Sequence, residues 1–297
     1  MENSERMPSY GGQAIIEGVM MRGQKSVAAA MRSPDGEIVI HDEPLGGIYQ
    51  SNIRKIPFLR GLIILWDALG LGTRFLTMSA NLQTGEDEKI EGASLVFTLI
   101  GSMVVAVGLF FLLPAAAAEA LQRWLNWSAW FGNIVEGLVR LLILIVYIWA
   151  IGKMPDIERV FAYHGAEHKT INAFEAGAEL TPENVKKYSV EHARCGTAFL
   201  MTVVVFSIII FSALGPLSLF WRLASRVLLI PVVAGLAYEY IRWSGNHLDS
   251  PFVKALIKPN LALQHLTTRE PSLDMLEVSI AAFKAMIAKE DKPAISL

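Results

Sequence analysis

Four apolar stretches, residues 94–114, 133–152, 198–219 and 223–243, constrain this 297-residue chain more than any other feature. Each has the length of about 20 residues that a helix needs to cross a bilayer. The chain is 53% hydrophobic and only 18% charged, with a mean hydropathy of +0.41. Soluble domains carry about a quarter charged residues. The expected fold class is therefore a mainly α-helical integral membrane protein with four transmembrane helices. The second stretch carries Glu136 and Arg140 close to one end, where long side chains can reach the headgroups.

Basic residues set the orientation, because Lys- and Arg-rich segments stay in the cytoplasm. Of the 26 Lys and Arg, 22 fall before the first stretch, between the second and third, or from Arg242 at the end of the fourth onward. Both termini and the central loop are thus expected to be cytoplasmic. With a net charge of -2 and no arginine-rich arm, no nucleic-acid partner is expected. The single cysteine, Cys195, excludes an intramolecular disulfide and suits a reducing compartment. The first 30 residues lack the basic flank and apolar core of a cleavable signal peptide, so membrane entry is expected to rely on the later segments.

Six segments follow. Residues 1–55 form a cytoplasmic β-containing unit, with a hairpin from strands 26–32 and 37–41 around the turn Pro34-Asp35-Gly36. Its other glycines, Gly11, Gly12, Gly18 and Gly23, fit sharp turns better than an anion cradle, since neither GxGxxG nor a Walker lysine is present. In residues 56–80, Arg60, Asp67 and Arg74 recur every seven residues, which suits an amphipathic helix lying in the interface or re-entering it, or else a fifth span. Residues 94–152 hold the first transmembrane pair, joined through an extracytoplasmic connection with Trp124, Trp127 and Trp130. Residues 153–197 read as a cytoplasmic helical hairpin, 198–243 as the second transmembrane pair, and 244–297 as a cytoplasmic tail with an amphipathic helix capped by Ser272.

The hairpin carries the chemistry. His164 and His168 are four residues apart on a helix expected to run from Pro155 to Gly177, so they share a face. With Glu167 they form His-x-x-Glu-His, the inverted order of a zinc-protease signature. A second short-spaced pair, His192 and Cys195, follows near the end of a helix started by Thr181-Pro182. The four N/S donors suit zinc, with other divalent metals as alternatives. Four protein ligands make a closed structural site, and three leave a position for water. In the second arrangement Glu167 would take the proton from the activated water. Glu175 and Glu191 are alternative carboxylate ligands and His247 a weaker candidate, all three better read as ordinary solvated or capping residues. Arg194 could contact a phosphate or carboxylate but better fits a lipid-headgroup contact, and Tyr163 and Lys169 flank the motif where substrate could bind.

Several blocks together resemble the YqhQ family, bacterial membrane proteins grouped as domain of unknown function 1385. They are Gly11-Gly12-Gln13-Ala14, Glu17-Gly18-Val19-Met20-Met21-Arg22, Arg60-Gly61, Tyr163 to Lys169, His192 to Thr197 and Leu263 to Pro271. Ala193 stands where the family pattern has proline. The resemblance implies a multi-pass protein of the bacterial inner membrane, described as a predicted metal-dependent enzyme, and brings no substrate.

Two functions are expected from these residues. One is a membrane-bound zinc-dependent hydrolase acting at the cytoplasmic face on a lipid-linked or peptide substrate. The other is a non-enzymatic scaffold, with a structural His/Cys site and a membrane-protein partner. Membrane lipids are partners in both. A transporter fits less well, because the stretches hold no run of acidic or histidine residues at mid-depth.

Overall fold

The computed structural model describes residues 10–46, 56–84, 89, 91–193, 195–215 and 217–290. It begins with a four-stranded antiparallel sheet in sequential order: β1 (Gly11–Ile15), β2 (Gly18–Arg22), β3 (Ser26–Arg32) and β4 (Ile38–Pro44). The hairpin expected from the sequence is its β3–β4 half, with Gly36 at φ 88° and the Ser33 N–H donating to Glu37 O. The sheet is larger than one hairpin because Gly11–Ile15 and Gly18–Arg22 pair in register through a tight turn at Glu17.

The helices are α1 (Leu59–Thr84), α2 (Gly92–Val107), α3 (Leu113–Leu125), α4 (Ala129–Ile151), α5 (Pro155–Glu175), α6 (Pro182–Val185), α7 (Thr197–Ala213), α8 (Leu219–Leu228), α9 (Ile230–Gly245), α10 (Pro251–Thr267) and α11 (Leu273–Ile287). Both faces of the sheet are covered. Side chains alternate along a strand, so Val27, Ala29 and Met31 pack with Met20 against Phe75 of α1. Ala28 and Ala30, with Val19 and Met21, pack against α5 and α11. The tail helix is thus core, with Leu276, Ile280 and Phe283 buried, while Leu273 at its start is exposed. The edge strand β4 stays largely exposed, and His41, Asp42 and Glu43 blunt it against pairing with another chain.

Among the described residues two helices are long and apolar enough to cross a membrane, Gly92–Leu125 and Trp130–Ile151, or three if the pair α8–α9, bent by 46°, counts as one span. Thr197–Ala213 is apolar but shorter. The four spans expected from the sequence thus become two or three by this measure. The bend precedes Pro231 at the start of α9, which has no N–H to continue the ladder. No residue of α2 is buried, and Phe97 is 75% exposed. So much apolar surface suits lipid rather than water.

The first apolar helix does not stop at Pro114. Between α2 and α3 a π turn, Gly108–Leu112, lets the axis run on to Leu125. Pro114 cannot donate to Phe110 O, its i−4 carbonyl, and the Arg140 Nε–H fills that place at 2.8 Å. The Trp-rich connection is therefore the end of α3, a left-handed Asn126 and the start of α4, rather than a separate surface helix. In α1, Arg60 is paired with Glu239 of α9 and Arg74 with Glu43 of β4, so these two arginines bind protein rather than water or headgroups.

The helical hairpin expected over 153–197 is corrected as well. Its first helix is α5, but α6 has only four residues, and His192 and Cys195 stand in non-helical chain before α7. The carbonyls of residues 186 and 188–191 accept from side chains of α5 instead of from helical N–H groups. Arg194 lies outside the described residues.

Phe283 sits between the rings of Tyr10 and Phe174, at 5.5 and 4.8 Å between centroids. Phe283→Ala should destabilise the sheet module by about 3–5 kcal/mol. Thermal unfolding in detergent should read this as a lowered Tm, and an unchanged Tm would contradict the assignment of α11 to the core.

Candidate metal centre

Helix α5 presents a buried run of polar side chains, Glu167, His168, Lys169 and Thr170. Each must find a partner or lose the hydration it gives up. Lys169 donates to Lys186 O and Tyr188 O at 2.8 and 2.7 Å and pairs with Glu270. Thr170 bonds Ser279 of α11, and Asn172 donates to Ser189 O and Glu191 O. The chain over residues 186–191 is thereby fastened along α5. Gly165 has a packing reason of its own, because a Cβ there would collide with the carbonyl of Arg269 where the α10–α11 connection crosses.

Two histidines are oriented from behind. His164 Nδ1 is 2.9 Å from Thr267 O, and His168 Nδ1 is 2.6 Å from Val190 O. A carbonyl only accepts, so each Nδ1 carries the proton and each Nε2 is left with a lone pair. Orientation of this kind is typical of ligand histidines. His164 Nε2 lies 3.1 Å from Cys195 Sγ, while the buried His168 Nε2 has no hydrogen-bond partner. One donor atom each from His164, His168 and Cys195 falls within 4.8 Å of the others. Burial lowers the His168 pKa, against the opposing effect of Cys195, and so favours the neutral form a metal requires. The donor set and the orphaned Nε2 fit a divalent ion such as zinc.

His192, the fourth ligand expected from the sequence, is held differently. Its backbone is clamped by Gln264, which accepts from His192 N–H at 3.0 Å and donates to His192 O at 2.8 Å. Its Nε2 faces Glu175 at 3.6 Å, and it lies outside the three-residue cluster. The other expected neighbours serve elsewhere. Glu191 pairs with His265, His247 bonds Trp243 O at an exposed position, and the Tyr163 hydroxyl reaches Glu17.

Glu167 is buried beside this cluster. Its carboxyl accepts from the Gly12 N–H of β1, and its Oε2 has no partner. Burial raises its pKa to about 7, opposed by His164 and by the Gly12 N–H. A Cβ on Gly12 would collide with Met20 O at 2.5 Å and press on this carboxyl at 3.0 Å, so the glycine makes room for both the paired strand and the acid. Sequence reasoning missed Gln264, Thr267 and Gly12 as site-building residues. Only the short blocks containing them hinted at a role, since a clamp spanning 72 positions leaves no local pattern.

Fold and site together define a helical protein with, among the described residues, two or three helices fit to cross a membrane, a small sheet module, and a His/His/Cys cluster formed by α5 beneath that sheet and the chain before α7. The chain belongs to the family described as protein of unknown function (DUF1385), which matches residues 56–289. It is 36% identical over 298 aligned positions to the "Uncharacterized protein YqhQ" of Bacillus subtilis (strain 168), covering 95% of this chain and 93% of that protein. No solved structure matches it.

His192→Ala should leave metal binding within about threefold of wild type, whereas Cys195→Ser should weaken it at least tenfold, about 1.4 kcal/mol. Zinc titration against a chromophoric chelator checks both, and equal losses would return His192 to the ligand set. Gln264→Ala should accelerate amide exchange across residues 186–193 while α5 keeps its protection. Unchanged exchange would mean that the clamp does not order this segment.

Proposed function

We propose that this protein is a metal-dependent hydrolase of the bacterial inner membrane, acting at the cytoplasmic face on a lipid-linked or peptide substrate. The observation that carries the reading is the count of converging donors among the described residues, three rather than four, beside a buried acid with a free oxygen. His164 and His168 would hold zinc through Nε2, and Cys195 would hold it through Sγ. Zinc bound there supplies a Lewis acid and lowers the pKa of a water to about 7.

The chain's own groups do the rest. Thr267 O and Val190 O fix the imidazole planes, and the Gly12 N–H holds one carboxyl oxygen of Glu167. The free Oε2 of Glu167 takes the proton from the attacking water and returns it to the leaving group. Topologically, the positive-inside distribution supports cytoplasmic termini and a cytoplasmic site. Four spans follow if α7, whose 17 residues rise about 25 Å, and the bent pair α8–α9 are spans three and four.

A second reading is a scaffold with a structural metal that staples α5 to the start of α7 and docks a membrane-protein partner. It is favoured by the depth of the cluster, with His168 fully buried and Cys195 6% exposed. Glu167→Gln separates the two. Incubated with bacterial membrane extract, wild type should consume at least one lipid or peptide species about 100-fold faster than Glu167→Gln at equal metal content. Indistinguishable product profiles from the two proteins, with His168→Ala disordering the loop, would reject the hydrolase in favour of the scaffold.

A further inference from the structure

Helix α8 is turned inside out relative to a helix in water. Arg222 and Arg226, four apart on one face, are 5% and 1% exposed, while Phe220 is 71% and Leu228 69% exposed. Such a helix is stable where lipid lies outside and a polar interior lies behind. The interior is a cluster shared with α3, α4 and α7, at the opposite end of α4 from its turn into α5.

The cluster carries an excess of positive charge. Three buried guanidinium groups, on Arg140, Arg222 and Arg226, meet two carboxylates, those of Glu119 and Glu136. Glu119 is further shared with the exposed Arg123. Arg140 engages all three nitrogens, with Phe110 O, Ser207 Oγ and Glu136. Arg226 is equally complete through Glu136, Asn133 and Ser225, with its guanidinium 4.2 Å above the Phe211 ring.

Arg222 differs. Its Nη1 binds Glu119 and Gln122, but its Nη2 reaches Asn133 only at 3.4 Å. Its buried Nε has no hydrogen-bond partner, the nearest carboxylate oxygen being Glu136 Oε2 at 3.5 Å. Arg222 and Arg226 line a small cleft of about 60 Å³ together with Glu119, Gln122, Asn133 and Leu217. A buried guanidinium nitrogen without a hydrogen bond, in a cluster with more arginines than carboxylates, is costly, and planar guanidinium donors match the oxygens of a phosphate.

We propose that this cleft binds a phosphate group, carried on the headgroup of an anionic membrane lipid, with Arg222 as its main contact. Phe220 and Trp221, on the same helix as Arg222, are exposed and provide an apolar surface for the lipid's chains. This site is independent of the metal centre and of the hydrolase reading.

Native mass spectrometry of the full-length protein in neutral detergent tests the proposal, with phosphatidylglycerol, phosphatidylcholine and inorganic phosphate titrated separately. Phosphatidylglycerol should bind saturably, one per protein, at least tenfold more tightly than phosphatidylcholine. Arg222→Gln should weaken it at least tenfold. Leu217→Glu places a negative charge at the cleft while keeping every partner of the network, so it should do the same even if Arg222→Gln fails to fold. Inorganic phosphate binding as tightly as phosphatidylglycerol, and competing with it, would support the phosphate site with free phosphate as its source. Equal binding of the two lipids without phosphate binding, or wild-type affinity in Leu217→Glu, would overturn the proposal and leave the cluster as an internal ionic staple.

Discussion

Burying a polar helix is the constraint from which most of this structure follows. Helix α5 places Glu167, His168, Lys169 and Thr170 out of solvent in succession, and the surrounding elements are arranged to answer them. The sheet contributes the Gly12 N–H, α11 contributes Ser279, and the non-helical chain after α6 contributes its carbonyls. A helix continued through residues 186–191 would have spent those carbonyls on itself, which explains why α6 stops after one turn. Two side-chain atoms of this run remain unanswered, Glu167 Oε2 and His168 Nε2. Leaving either buried and unpaired costs about 1–3 kcal/mol, which makes sense where a ligand completes the pairing.

The same rule governs the apolar half of the molecule, where water is scarcer and the penalty larger. Pro114 frees a carbonyl inside an otherwise continuous 34-residue helix, and Arg140 occupies it. Glu136 then joins Arg140 to Arg226 and links α4 to α8. This network explains how a span can carry Glu136 and Arg140 without the pair reaching for headgroups. Both side chains point inward, at 1% and 2% exposure.

Much of this was legible in the chain. Pro155 and Gly177 bracketed α5, Pro34-Asp35-Gly36 marked the β3–β4 turn, and Ser272 marked the start of α11. These are local signals, set by a fixed φ, a permitted positive φ or a capping position. Spacing also brought His164 and His168 together, and Cys195 joins them. Less visible was anything decided by distant partners. His192 stood three residues from Cys195 and looked like its companion, yet Gln264 turns that stretch so that its ring faces Glu175. The extra strands β1 and β2 were hidden because, with both sheet faces covered, their side chains lack the alternation of a half-exposed strand.

In the proposed centre His164, His168 and Cys195 would hold a metal and leave one position open beside Glu167. X-ray absorption at the metal edge of the zinc-loaded, full-length protein measures the ligand set directly. Two imidazole nitrogens, one sulfur and one light atom from outside the protein are expected, unchanged in His192→Ala. A third imidazole in the wild-type spectrum that disappears in His192→Ala, or a chain that binds no zinc at all, would contradict it.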